Sequence, residues 1–144
     1  MKIQEKVRPL LAAEIALLDD FVFIPENDAA NKSGKFSIDK KVWKRMNADG
    51  EWGYFDRLPN YFEDRDAIIP VIQKQRKNFN RIQWFKFRET LAELFYGNKD
   101  EHNQWYDIQD MAMLFSSAEQ LCITFLQIAG VWAKFDEKDL VEPA

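Results

Sequence analysis

Three carboxylates stand close together at Glu63, Asp64 and Asp66, a grouping that could hold a hard cation through oxygen ligands. The same residues suit the start of a helix, where an acidic side chain caps free N–H groups and complements the helix dipole. Capping is the expected role. One histidine, His102, and one cysteine, Cys122, are too few for a zinc site built from His and Cys. Nucleophilic catalysis needs a nucleophile with a base beside it. Cys122 falls one position off an apolar helical stripe and is expected to be a buried structural thiol. His102 lies in the polar run Asp100–Gln104 and is expected to be an exposed loop residue. Ser116 and Ser117 are expected as helix caps, and the five scattered glycines form no phosphate-binding loop. No catalytic site, metal or cofactor is expected, and the chain is read as a non-enzyme.

The strongest charge asymmetry runs from Ala67 to Arg88, which holds Lys74, Arg76, Lys77, Arg81, Lys86 and Arg88 and no acidic residue. The chain totals −4, so the remainder carries −10. Phe79, Trp84, Phe85 and Phe87 are interleaved with these cations. Cations that track phosphates beside rings that stack bases make a surface for single-stranded nucleic acid. An acidic chain as a whole argues against that use. Two other readings stay open: a solvated helix end whose rings point into the core, and a basic patch that docks an acidic partner surface. The candidate partner-binding residues are therefore Lys74, Arg76, Lys77, Arg81, Trp84, Lys86 and Arg88.

At 144 residues, 47% hydrophobic and 31% charged, the chain is expected to form one folded domain with a core of ordinary size. Aromatic residues, at 15%, are the outlier; most should fill the core, and some could lie on a partner surface or close a homodimer. One cysteine cannot make an intrachain disulfide, which suits a reducing compartment. The N-terminus has no signal-peptide pattern, because Leu10–Leu18 is interrupted by Glu14. No stretch approaches the length of a membrane span.

These residues must be positioned by a small set of elements. Val7, Leu10, Leu11, Ile15 and Leu18 form a helical stripe, so a helix is expected over 8–24 with Pro9 in its first turn and Phe21–Ile24 as its tail or a short strand. Residues 25–40 read as loop, and 41–55 as a β-hairpin turning at Asn47–Gly50. Over 58–135 the chain reads as a helical and mixed remainder. Leu58–Asn60 is a turn, and Asp64 or Asp66 caps a helix to about Lys77; with Asp66 as cap, Pro70 would be the fourth helical residue. A helix from about Ile82 to Tyr96 follows, ended by Gly97-Asn98, then a polar loop over Lys99–Gln104. Trp105–Phe115 is of uncertain type, with strand preferred. Ala118, Leu121, Phe125, Ile128 and Trp132 recur at helical spacing behind a serine cap. The tail over 136–144 is expected to fray. The fold class expected is α+β: a single domain with a small antiparallel sheet, including the hairpin, packed against three to four helices.

Leu58-Pro59-Asn60-Tyr61 with Asp64, Asp66 and Ala67, and Ser117-Ala118-Glu119-Gln120 leading to Phe125-Leu126 and Val131-Trp132, resemble a family of small tailed-bacteriophage proteins of the phage ABA-sandwich type. The N-terminal run Ala12 to Ala16 is similar in character. Pro70 and the segments Pro25–Lys41 and Arg76–Phe115 depart from that pattern. The resemblance covers about half the chain; it implies a sheet between helices and a phage origin, and it brings no catalytic residues. The function expected is that of an accessory protein acting in the host bacterial cytoplasm by binding a host protein, as an inhibitor of a defence system such as a CRISPR effector. The alternative is single-stranded nucleic-acid or nucleotide binding through residues 74–88.

Overall fold

The computed structural model describes residues 1–24, 42–97 and 105–143. The expected loops at 25–40 and 99–104, His102 included, lie outside the described residues. Helix α1 spans Arg8–Leu18 with Pro9 in its first turn, where a missing N–H removes no helical bond. The helix stops well short of residue 24. Asp20 takes a positive φ of 64°, and the Phe21 amide donates back to the Ala16 carbonyl at 3.0 Å. That is a left-handed helix stop, which aspartate tolerates better than most residues. It frees Val22–Ile24 to form strand β1.

Strands β2 (Val42–Met46) and β3 (Trp52–Phe55) form the expected hairpin, and β1 adds to β2, giving an antiparallel sheet in the order β1-β2-β3. Phe23, Trp43 and Phe55 are cross-strand neighbours, so they share a face. Trp43 joins the core from that face, and Phe55 meets Phe21 edge-on at 5.4 Å. Val22, Met46, Trp52 and Tyr54 belong to the opposite face and are exposed.

Five more helices follow: α2 (Arg65–Arg76), α3 (Arg81–Tyr96), α4 (Trp105–Phe115), α5 (Ala118–Ile128) and α6 (Glu137–Leu140). The architecture is the expected α+β domain with a three-stranded antiparallel sheet. The helices outnumber the three to four expected, partly because Trp105–Phe115 is helix and not strand. Ile108 and Ala112, one turn apart, are buried there. Helix α5 is the hub. Every residue from Leu121 to Leu126 is buried, as in a helix enclosed on all sides, and α2 and α3 pack against it.

Local signals fix the helix starts. Asp64 caps α2, its carboxylate accepting from the Asp66 amide at 2.9 Å. That choice puts Pro70 at the sixth helical position, where it deprives the Asp66 carbonyl of a bond. Asn80 with Gln83, and Ser117 with Gln120, form reciprocal capping boxes for α3 and α5. Helix α5 ends at Ile128, before Trp132, and Gly130 takes a positive φ just beyond it.

The expected fraying of the tail does not hold as far as Glu142. The Gln4 amide donates to the Leu140 carbonyl and the Glu142 amide to the Lys2 carbonyl, both at 2.8 Å. Leu140 is fully buried. Four-residue α6 therefore ties the C-terminus to the N-terminal segment, a long-range pairing that local composition could not reveal. No single helix among the described residues is long and apolar enough to cross a membrane.

Candidate functional site

The carboxylate cluster separates into structural duties. Asp64 is the cap of α2, and Glu63 accepts from Asn60 at 3.0 Å and from Arg8 at 3.4 Å. Among the described residues no group of three or more His, Cys, Asp or Glu could hold a metal ion. The Cys122 thiol is buried and donates to the Tyr61 carbonyl at 3.0 Å. Burial first, and the nearby Glu119 charge second, push its pKa well above the ordinary thiol value. A thiol so held is a poor nucleophile.

The seven basic and aromatic candidates divide. Lys74 turns toward the end of α1, where its ammonium lies 3.2 Å from Asp19 and 3.0 Å from Asp20. Burial works against its charge, but the hydrogen bonds to Asp20 and Asp19 outweigh it and raise its pKa. Asp19 is 5% exposed and also accepts from Arg45 at 2.8 Å and from the Tyr61 hydroxyl at 3.0 Å. Lys74 is thus part of a structural network.

Arg81, Trp84 and Arg88 recur at i, i+3 and i+7 on α3 and share a helix face. From the last turn of α2, Arg76 lays its guanidinium over the Trp84 ring, 4.2 Å from the centroid. Trp84 also stacks on the buried ring of Phe87 at 5.2 Å and 13°. These contacts hold the indole half-buried in a fixed orientation. Arg88 pairs with Asp110 of α4. Lys77 and Lys86 are exposed and lie off this face. Among the interleaved rings, Phe87 is fully buried and Phe79 packs on Phe125 at 6.3 Å, leaving Phe85 outward.

Two cavities flank Trp84. The inner, of about 170 Å³, is walled by Ile69, Ile72, Met113 and Leu121, with Gln73 and Arg76 the polar members. The outer, of about 380 Å³, runs past Arg88, Asp110 and Leu114. Both include Arg76, Trp84 and Met113 in their walls, so they form one stepped cleft between α2, α3 and α4. A larger depression of about 640 Å³ lies between α1, β2 and the Leu58–Asn60 turn. It is lined mainly by small and apolar groups, with Asp56 and Arg57 its charged members, and lacks a convergent polar set.

The α4 contribution to the cleft was not visible because the sequence left Trp105–Phe115 open between helix and strand. Ile108, Met111, Ala112 and Phe115 carry a helical spacing that could have exposed it. Nothing in the sequence announced that Arg76 and Trp84, on separate helices, would stack. No protein-family model, curated protein or solved structure matches the chain.

Proposed function

We propose that the protein is a non-enzymatic accessory protein of a tailed bacteriophage that acts in the bacterial cytoplasm by binding a host protein, as an inhibitor of a defence system. The observation that carries the binding part is the stepped cleft at Trp84. There a preset aromatic ring, arginines and apolar walls meet beside outward-facing apolar side chains. Tryptophan and arginine are the residues most enriched where partner surfaces concentrate their binding energy. The phage and anti-defence parts rest on the resemblance of Leu58–Tyr61 and Ser117–Trp132. Those residues are architectural here: Tyr61 is buried against Asp19, and Ser117 is a cap.

The nucleic-acid alternative is less well supported by the geometry. Lys74 and Arg88 are matched by carboxylates, and Phe79 and Phe87 pack inward and offer bases no platform. Purified protein incubated with lysate of a bacterial host tests the binding part, read by mass spectrometry of what it retains. Specific retention of a defence component is expected, and protection of a susceptible phage should follow when the protein is expressed in cells carrying that system. Retention of nucleic acid alone, sensitive to salt, would overturn the proposal.

A further inference from the structure

We propose that the cleft receives one aromatic side chain from an acidic segment of the partner, with carboxylates of that segment pairing with Arg76 and Arg81. This rests on the protein-binding reading and specifies the partner's chemistry. Size argues first. An apolar protein cavity of about 150 Å³ stays dry and accepts benzene, and the inner cavity, about 170 Å³, offers room for one ring. Ile69, Ile72 and Leu121 give it branched aliphatic walls, and Met113 is a flexible, polarisable side that adapts to a flat guest.

Charge argues second. A guanidinium over an indole face keeps N–H donors with which it can grip a carboxylate through two parallel bonds. The Arg76 guanidinium carbon lies 4.2 Å from the centre of the Trp84 ring, and neither Arg76 nor Arg81, which shares the Trp84 face, has an ion-pair partner among the described residues. Arg88 is already matched by Asp110, whose side chain is 67% exposed. Such a surface pair is weak and exchanges readily.

A free aromatic acid would leave the surroundings uncovered. Phe85, which follows Trp84 on α3, is 51% exposed, and Leu114, in the outer wall, is 66% exposed. A peptide continuing past the slot covers both. A nucleic-acid strand fits less well, because Asp110 stands at the cleft mouth and a phosphate at every nucleotide would meet it. A peptide can space its carboxylates around that charge.

The direct probe is a fluorescein-labelled Glu-Glu-Asp-Phe-Glu-Leu peptide titrated with the whole protein and read by anisotropy. Companion peptides replace Phe with Ala, or the acidic residues with their amides, and a labelled oligothymidine replaces the peptide altogether. The parent peptide should bind, and each companion peptide should bind roughly tenfold more weakly, the scale of removing a dominant contact. Arg76→Glu and Arg81→Glu alter exposed side chains and should weaken the parent peptide similarly while lowering the thermal unfolding midpoint by no more than a few degrees, the scale of the lost Arg76–Trp84 contact. Equal affinity for all three peptides, tighter binding of oligothymidine, or indifference to both substitutions would overturn the proposal. Should a host protein be retained equally by wild type and Arg76→Glu, the protein-binding reading would stand and this site would fall.

Discussion

Two regions of the molecule gather cations around aromatic side chains, and they use them differently. At the end of α1, Arg45 and Lys74 converge on the buried Asp19 carboxylate, with the Tyr61 hydroxyl completing the set and Arg45 lying over the Phe21 ring at 4.5 Å. Every charge there is answered from within the chain, and the cluster joins α1, β2, α2 and the segment before α2. At the cleft, Arg76 rests on Trp84 and Arg81 has no carboxylate among the described residues. In the first arrangement both cations are paired with an internal carboxylate. The second has apolar walls beside Arg76 and Arg81, neither of which has an ion-pair partner among the described residues, and its Arg88 is matched only by the largely exposed Asp110. What separates architecture from a binding surface here is whether buried carboxylates match the cations, and the count of cations alone does not reveal it.

Substitutions should therefore act on opposite properties in the two regions. Asp19→Ala strands Arg45 and the Tyr61 hydroxyl together and leaves Lys74 with the exposed Asp20 alone. We expect a loss of about 3 kcal/mol in urea unfolding, the lower end for breaking a buried pair because both cations keep some solvent. Peptide binding at the cleft should be unchanged under conditions where that variant remains folded.

Alkaline pH should erode the same region next. Burial first, then the charge and hydrogen bond of Asp19, raise the Tyr61 pKa. Once the unfolded phenol ionises above about pH 10, the unfolded chain releases a proton that the folded state keeps, so stability falls as pH rises. Lys74 has the same sign: its contribution is full below about pH 10.4 and is lost as pH climbs through its raised folded value. Cys122 begins earlier, above about pH 8.5, for the same reason as Tyr61. Urea midpoints followed from neutral to alkaline pH should fall in two stages, and Cys122→Ala should abolish the first alone.

Tyr61→Phe removes one hydrogen bond from a carboxylate that retains two cations, and about 1 kcal/mol should be lost. The smallest stability effect should come from Arg76→Ala. It gives up a cation–ring contact worth at most about 1 kcal/mol at an exposed site. A larger loss would mean that Arg76 is structural after all and that the contrast between the two regions is false.

Local elements were legible because they are written locally. The hairpin was readable from Asn47–Gly50 between apolar runs, α5 from its stripe behind a serine cap, and α2 from a cap at Asp64 or Asp66. Errors arose where a distant partner decided the outcome. The sequence left Phe21–Ile24 open between helix tail and short strand, and the left-handed turn at Asp20 decides for β1. The polar tail gave no sign of its pairing with residues 2–4. In the basic stretch, sequence alone could not tell Lys74, matched by Asp19, from Arg76, resting on Trp84, because both facts depend on which helices meet. Four of the seven candidate residues converge on the cleft or its face, and chemistry alone did not distinguish them from the other three.

The most direct test of the cleft follows the tryptophan indole N–H signals by NMR, with the Trp84 signal assigned through Trp84→Phe, as the acidic Phe-containing peptide is added. Trp84 should shift progressively with peptide concentration, while Trp43, buried on the sheet, holds its position. Movement of Trp43 or the exposed Trp52 with Trp84 unmoved would place binding on the sheet and contradict the cleft as the docking surface.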